Sequence, residues 1–147
     1  MEKKLKKTKV QKPVAKSKKY VCAVGRRKTA TSRVRLFYGK GETVVNDQPI
    51  GKYFSGLVAQ VFYQKPFVAT NTLGKYYATI RVEGSGKNGQ LAAVVHGLAR
   101  ALDKENKELY HSLLKQNGLL TRDYRAKERR KPGQMGKARK QKQSPKR

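Results

Sequence analysis

The chain has 147 residues, the length of one domain, and carries 36 Lys and Arg against 9 Asp and Glu, a formal net charge of +27 at pH 7. Such a surplus opposes compaction unless counter-charges neutralise it, so the composition favours a polyanionic partner. The single cysteine, Cys22, excludes an internal disulfide and a cysteine-based zinc site. The sequence contains no run of about 18 apolar residues, so no membrane span is predicted.

The positive charge is concentrated at the two ends of the chain. Residues 1–19 hold nine Lys and one Glu, and residues 121–147 hold twelve bases and two acids. Segments with so little apolar surface cannot offset their own ordering entropy. We therefore predict a Lys-rich N-terminal arm (1–19), a globular body (20–120) and a basic C-terminal tail (121–147). The arm lacks the apolar stretch of a secretory signal and the Arg and Ser bias of a transit peptide.

The first part of the body has the composition of strands. Residues 20–25 and 34–39 are β-prone, and the basic segment 25–33 interrupts them, which predicts a hairpin with a basic turn. Residues 43–50 add a short strand that ends in turn-forming residues. Cys22 lies in the first strand and is expected to be a small buried core residue.

A helix and a further strand follow. Residues 57–65 predict a helix that Pro66 kinks or stops, since proline lacks an amide donor and clashes with the preceding turn. Residues 75–84 alternate between two sets of side chains, the pattern of a strand with one buried face.

Two more helices are predicted after residue 89. In residues 90–103, Leu91, Val95, Leu98 and Leu102 recur at helical spacing, so they share one face. The helices and strands together indicate an α/β body with a small mixed sheet covered by helices.

The last predicted helix covers residues 106–118. Its apolar residues Leu109, Leu113 and Leu114 are expected to face inward, and Gly118 is expected to cap its C-terminus.

A glycine pattern precedes the helix at residues 90–103. Gly84, Gly86 and Gly89 form G-x-G-x-x-G, the local setting of a dinucleotide-binding turn, but a second helix follows where a strand is required. The phosphate-loop pattern also fails, because Gln90 and Leu91 replace Lys and Ser or Thr. A nucleotide-binding enzyme that uses residues 84–89 is therefore a disfavoured alternative. Helix amides preceded by glycines still suit a phosphate of any origin, including a nucleic-acid backbone.

Other catalytic arrangements are not evident. His96 and His111 lie on separate predicted helices, and no motif supplies either with an orienting partner. We therefore predict that the chain is not an enzyme and has neither a cofactor nor a small-molecule substrate.

Residues 25–35, GRRKTATSRVR, gather five bases around small hydroxyl side chains: Arg26, Arg27, Lys28, Arg33 and Arg35. Guanidinium groups bind phosphate oxygens in pairs, and hydroxyl groups add short donors. The cluster is predicted to bind a folded nucleic-acid backbone.

Three blocks of sequence resemble one family. They are VGRRKTATSRVRL (24–36), EGSGKNGQLAAVVHGLARAL (83–102), and GLLTRDYRAKERRKPG with the basic tail that ends in KR (118–147). In this order they are similar to the ninth protein of the small ribosomal subunit, of the bacterial and organellar type. The chain departs from the family at Ser85, which replaces a glycine, and at Pro145, which precedes the terminal Lys-Arg.

The resemblance implies a mixed sheet packed by helices on one face, with a left-handed βαβ crossover that the general right-handed rule would not predict. It also implies a place in the head of the small subunit, beside neighbouring head proteins and bound to ribosomal RNA. The compartment is expected to be the cytoplasm, with an organellar matrix or stroma as the alternative.

The resemblance also assigns roles to further bases. Ribosomal RNA phosphates are the expected ligands of the cluster at 25–35 and of Lys87, Arg122, Arg125, Arg129, Arg130, Lys131, Arg139 and Lys140. Pro132 and Gly133 are expected to end any helix and to admit an extended path. Lys146 and Arg147 are expected to reach the transfer RNA in the peptidyl site.

An architectural DNA-binding protein is the alternative from another class. No recognition helix with base-reading side chains is evident, and the bases concentrate in loops and tails. This alternative is therefore disfavoured.

Overall fold

The computed structural model describes residues 20–140, so the predictions for the N-terminal arm and for Lys146 and Arg147 lie outside the described residues. The elements follow in the order β1 (Val21–Arg27), β2 (Ala30–Tyr38), β3 (Val44–Val45), β4 (Gln48–Pro49), α1 (Ile50–Tyr53), α2 (Leu57–Ala69), β5 (Tyr76–Glu83), α3 (Lys87–Glu105) and α4 (Lys107–Gln116). None of the helices in this range combines the length and the apolar character that a bilayer crossing requires.

The five strands form one mixed sheet in the order β1-β2-β5-β3-β4. Neighbouring strands are antiparallel except β3 and β5, which are parallel. The connection from β3 to β5 contains β4, α1 and α2. The predicted α/β class with a small mixed sheet is therefore confirmed, while the left-handedness of the crossover stays a prediction.

Helix α3 covers one face of the sheet, and α2 and α4 pack beside it. Along β2 and β5 buried and exposed residues alternate, so the opposite face of these strands is open. The period-2 pattern predicted for β5 is confirmed, because Ala78, Ile80 and Val82 are buried and the residues between them are exposed.

The hairpin of β1 and β2 is longer than the sequence predicts. Pairing extends to Arg27 opposite Ala30, so only Lys28 and Thr29 remain in the turn. The prediction that the basic segment 25–33 interrupts the strands is wrong. The small residues Gly25, Ala30 and Ser32 are buried, so Arg26 and Arg33 occupy the outer face of continuous strands.

Helix α2 continues through Pro66 to Ala69, so the alternative that the proline stops the helix is wrong, while a kink at this residue stays a prediction. Pro66 is one of the fully buried residues, and burial of its ring offsets the missing backbone donor. The helix ends at Ala69, and the hydroxyl of the next residue, Thr70, donates to the Pro66 carbonyl oxygen at 2.9 Å.

Helix α3 is the centre of the core. Val95, Leu98 and Leu102 are buried as predicted, and Leu91 is half-buried against the same cluster.

The backbones of α3 and β1 are in close contact at Gly25. A Cβ atom placed on Gly25 would lie 2.0 Å from the Ala93 carbonyl oxygen and 2.4 Å from the Gly97 nitrogen. Beside this contact the buried Ser32 hydroxyl donates to the Ala93 carbonyl oxygen at 2.7 Å. The glycines therefore set the distance between β1 and α3.

Helix α4 buries a narrower face than predicted. Leu114 is fully buried, but Leu109 and Leu113 are 61% and 39% exposed, so the inward orientation predicted for them is wrong. Tyr110, one turn before Leu114, packs on the core instead. The predicted cap is confirmed: Gly118 has φ +67°, and its N–H donates to a carbonyl of the last turn at 3.0 Å.

Candidate nucleic-acid interface

The open face of the sheet carries four exposed arginines, which we call the arginine face: Arg26 on β1, Arg33 and Arg35 on β2, and Arg81 on β5. Arg33 and Arg81 are direct partners in the register of β2 and β5. Like charges in opposed positions repel each other, so an anion bound between them would relieve the electrostatic repulsion that is present in the unbound protein. The arrangement is chemically suited to phosphate oxygens.

A cavity of about 500 Å³ opens on this face and is lined by Arg26, Thr29, Thr31, Arg33, Arg81, Glu83 and Gly84. Three guanidinium groups face a single carboxylate in this lining, and the two threonine hydroxyls add neutral donors. The cavity therefore combines net positive charge with the donor types that contact nucleic-acid backbones.

Aromatic rings lie beside the arginines on the same face. Phe37 and Tyr77 stack with 5.1 Å between their ring centroids, and Tyr20 packs against Phe37 at 5.4 Å. The guanidinium of Arg35 lies 5.5 Å from the centroid of the Tyr20 ring. This cation–π contact holds Arg35 over the sheet and beside the aromatic rings.

The glycine segment after β5 packs against the hairpin turn. Gly84 has φ +79°, and a Cβ there would lie 2.5 Å from the Thr29 carbonyl oxygen. The side-chain amide of Gln90 donates to the Gly84 carbonyl oxygen at 3.1 Å, which fixes the segment to the first turn of α3. Lys28, exposed at the hairpin turn with φ +52°, therefore lies close to this segment.

Lys87 begins α3 and lies on an aromatic ring. Its ammonium nitrogen is 3.4 Å from the centroid of the Tyr53 ring and 3.4 Å from the Tyr53 carbonyl oxygen. An ammonium group has three donors, so donors remain for an external anion.

Arg27 is bound within the chain. Its guanidinium forms an ion pair with Asp123 at 3.1 Å and donates to the Arg125 carbonyl oxygen at 2.6 Å. Asp123 also accepts two hydrogen bonds from the Arg125 side chain. The hydrogen bonds from Arg125 and the charge of Arg27 lower the pKa of the Asp123 carboxyl group to about 2. Arg27 thus joins the start of the tail to β1.

The described part of the tail, after α4, is irregular. Arg139 and Glu128 form a bidentate pair at 2.6 and 3.0 Å, and the Lys131 N–H donates to the Lys137 carbonyl oxygen at 3.2 Å. The chain therefore reverses direction across residues 131–137, where an extended path was expected. The remaining tail bases predicted to bind RNA are exposed in this segment: Arg122, Arg129, Arg130, Lys131 and Lys140.

Helix α3 covers the free edge of β1 with three side chains spaced four residues apart, namely His96, Arg100 and Lys104. His96 accepts a hydrogen bond from the backbone amide of Arg26 at 3.3 Å. Arg100 donates to the carbonyl oxygen of Val24 at 2.5 Å, and Lys104 donates to the carbonyl oxygen of Cys22 at 3.1 Å. Since β1 is an edge strand, these bonds satisfy backbone groups that no neighbouring strand reaches.

Cys22 is exposed, so its predicted burial is wrong. It lies opposite Arg35 on the open face, because the buried positions of β1 are the alternate ones.

His111 bonds Asp103 at 2.8 Å. Within residues 20–140, no group of three or more potential metal ligands occurs.

Two arginines of the site were missed from the sequence. Arg81 belongs to the alternating pattern of β5, but only the strand register places it opposite Arg33. Arg100 lies on α3, where the sequence pattern indicated only the apolar face of the helix. Its proximity to β1 depends on the close contact of the two backbones at Gly25.

A family model described as ribosomal protein S9/S16 matches residues 25–147. Among similar proteins, the small ribosomal subunit protein uS9 of Dehalococcoides mccartyi strain CBDB1 is 46% identical over 114 residues, which cover 78% of this chain and 86% of that protein. The uS9 proteins of Maridesulfovibrio salexigens and Rickettsia canadensis are 47% and 46% identical over 120 and 125 residues. These matches cover 82% and 85% of this chain, and 92% and 76% of the two relatives.

Proposed function

The chain belongs to the ribosomal protein S9/S16 family, and from this premise we propose that it is a noncatalytic component of the small ribosomal subunit that binds ribosomal RNA. The relatives bear the names of ribosomal proteins, which are not enzymes, so the nucleotide-enzyme alternative is discarded. The same membership disfavours the architectural DNA-binding alternative. The ribosome concerned is proposed to be cytoplasmic.

The observation that carries the proposal is the arginine face. Arg33 and Arg81 lie opposite each other on an open sheet, and Arg26 joins them around one cavity. Each phosphate neutralised at such a surface releases counterions, so affinity should fall steeply as salt rises.

The other bases extend this surface. Lys28 and Lys87 lie near the glycine segment, and the exposed bases of the tail continue the positive charge beyond the sheet. Arg27, Arg125 and Arg139 are paired within the chain, so we propose that they shape the tail and contact RNA through their remaining donors.

The experiment compares the binding of small-subunit ribosomal RNA by the wild-type chain and by Arg33→Ala and Arg81→Ala. We expect each variant to weaken binding and to flatten the salt dependence by roughly one unit of slope. The control is Lys107→Ala, which removes one exposed positive charge at the start of α4.

An unchanged slope in Arg33→Ala and Arg81→Ala would contradict the role of the arginine face. A wild-type affinity that does not depend on salt would contradict RNA binding through phosphates altogether.

The terminal bases Lys146 and Arg147 are proposed to contact the transfer RNA in the peptidyl site. Support comes from the similarity of the tail to the family, since these residues lie outside the described range. A thin basic segment of this kind can enter between RNA helices where a folded domain cannot.

Neighbouring proteins of the small-subunit head are proposed as further partners, and α2 supplies a suitable surface. Leu57, Val58, Val61 and Phe62 are 52 to 81% exposed on this helix. Leu57, Val58 and Phe62 border an apolar cavity of about 510 Å³ that reaches Leu91 of α3. An apolar patch of this kind is typical of a protein contact and is unsuited to phosphate.

A further inference from the structure

A third cavity, of about 360 Å³, lies at the free edge of β1 and is lined by Val24, Arg26, His96, Arg100 and Arg122. Its walls come from three parts of the chain: β1, the helix α3 and the start of the tail. Three guanidinium groups line it without a carboxylate. Within residues 20–140, no ion pair joins Arg26, Arg100 or Arg122 to an acidic side chain.

We propose that this cavity, which we call the edge pocket, binds one phosphate group of the ribosomal RNA backbone through Arg26, Arg100 and Arg122. The inference rests on the proposed function and adds to it a defined site and a residue, Arg100, that no sequence pattern had indicated. Guanidinium groups from three directions match the oxygens of a phosphodiester, which accept several hydrogen bonds at once.

The pocket is built before any ligand arrives. Arg100 is held by its bond to the Val24 carbonyl oxygen, which leaves most of its five donors free. His96 accepts from the Arg26 N–H through Nδ1 and contacts the Leu120 carbonyl oxygen through Nε2, both at 3.3 Å. The imidazole thus ties the edge of β1 to the residues that lead to Arg122.

The electrostatic environment of His96 agrees with an anion site. Burial lowers the pKa of His96, and the charges of Arg100 and Arg122 lower it further, although the contact with the Leu120 carbonyl group opposes the shift. The lowered pKa favours the neutral imidazole, and the positive charge that contributes to this shift comes from Arg100 and Arg122, two of the residues proposed to bind the phosphate.

The position of the edge pocket gives it a role between two surfaces. Arg26 lines both the edge pocket and the cavity on the arginine face, so the two sites adjoin. Arg122 belongs to the tail, which Arg27 joins to β1 one residue further along the chain at Asp123. A phosphate in the edge pocket would therefore connect the RNA on the sheet to the start of the tail.

The test measures affinity for small-subunit ribosomal RNA in Arg100→Gln and Arg122→Gln. We expect each to lose roughly ten- to hundredfold in affinity, the effect of removing a hydrogen bond to a charged group. The double variant should lose less than the product of the two effects, because both residues contact one phosphate.

Lys104→Gln is the matched control. Lys104 lies one turn beyond Arg100 on α3, carries the same charge and bonds the same strand edge, but does not line the edge pocket. Its affinity should stay close to that of the wild type. Equal losses in Lys104→Gln and Arg100→Gln would show a general effect of charge on α3 and would overturn the proposal.

Arg122→Gln keeps the proposal testable if Arg100→Gln fails to fold, since Arg122 lies in the irregular tail. Wild-type affinity in Arg122→Gln would overturn the proposal.

A second arm titrates inorganic phosphate alone and follows the imidazole signals of His96 by NMR. Shifts with inorganic phosphate combined with unchanged RNA affinity in the arginine variants would assign the pocket to free phosphate and overturn the RNA role. Failure of the wild type to bind RNA would instead overturn the proposed function.

Discussion

The role assigned to a single arginine of this chain depends on the neighbours that the structure gives it. Arg26, Arg27 and Arg33 look alike in the sequence as members of one basic cluster. In the structure Arg33 faces an opposed arginine, Arg27 binds a carboxylate of the tail, and Arg26 lies between two cavities. Composition predicted that the cluster is a nucleic-acid surface. The strand register and the contacts with the tail show that its arginines have different partners.

The pKa of Asp123 reports chiefly on its contacts with Arg125 and to a smaller extent on the junction with Arg27 of the body. The hydrogen bonds from Arg125 and the charge of Arg27 lower this pKa from 3.8 to about 2. A depressed carboxyl pKa contributes stability that is fully present above the unfolded value and is lost as the pH falls through the folded value. We therefore expect the junction to persist at pH 4 and to open only near pH 2.

NMR titration of the Asp123 side-chain carboxyl carbon measures this directly. Arg125→Gln should raise the midpoint most, since the side-chain hydrogen bond of Arg125 is the largest cause of the shift, and Arg27→Gln should raise it less. Lys127→Gln serves as the control on the same segment. A wild-type midpoint near 3.8 would show that the junction does not form in solution.

At the scale of elements, periodicity predicted β5, α3 and the existence of α4, because one face of each is buried and the pattern of apolar residues records that face. It failed at the hairpin, where small buried residues such as Gly25 and Ser32 carry no hydrophobic signal. It also failed at Pro66, since a local rule cannot show that a proline ring will be buried in the core. Contacts between elements, such as that between Arg100 and β1, depend on packing distances that no local pattern contains.

The approach of α3 to β1 yields a prediction about stability. In Gly25→Ala the new methyl group would lie 2.0 Å from the Ala93 carbonyl oxygen and 2.4 Å from the Gly97 nitrogen, both backbone atoms of a helix. The helix must move, so we expect the free energy of unfolding to fall by about 3 kcal/mol, the upper part of the range for overpacked cores.

Urea denaturation compares Gly25→Ala with the control Gly51→Ala. At Gly51 the nearest atom to an added Cβ is the Tyr63 hydroxyl oxygen at 3.8 Å, so the control should stay within about 0.5 kcal/mol of the wild type. Equal stability of the two variants would mean that the contact between α3 and β1 is looser than the structure shows.

The described part of the molecule, residues 20–140, combines a folded body with an irregular basic segment after α4. The body presents a positive sheet face on one side and the helices α2, α3 and α4 on the other. The division into an arm (1–19), a body (20–120) and a tail (121–147) stays a prediction. Composition alone indicated it, because the apolar residues needed for a core lie between two highly charged ends. It did not predict that the tail bases would pair with the few acids of their own segment, as Arg139 does with Glu128.

The most direct test reconstitutes small ribosomal subunits with three chains: the wild type, the double variant Arg33→Ala and Arg81→Ala, and a chain that ends at Lys140 and keeps the Glu128–Arg139 pair. Two quantities are measured, namely incorporation of the protein and affinity for transfer RNA in the peptidyl site. We expect the double variant to incorporate poorly, and the shortened chain to incorporate normally but to weaken transfer RNA binding. Wild-type incorporation of the double variant would contradict the central role of the arginine face.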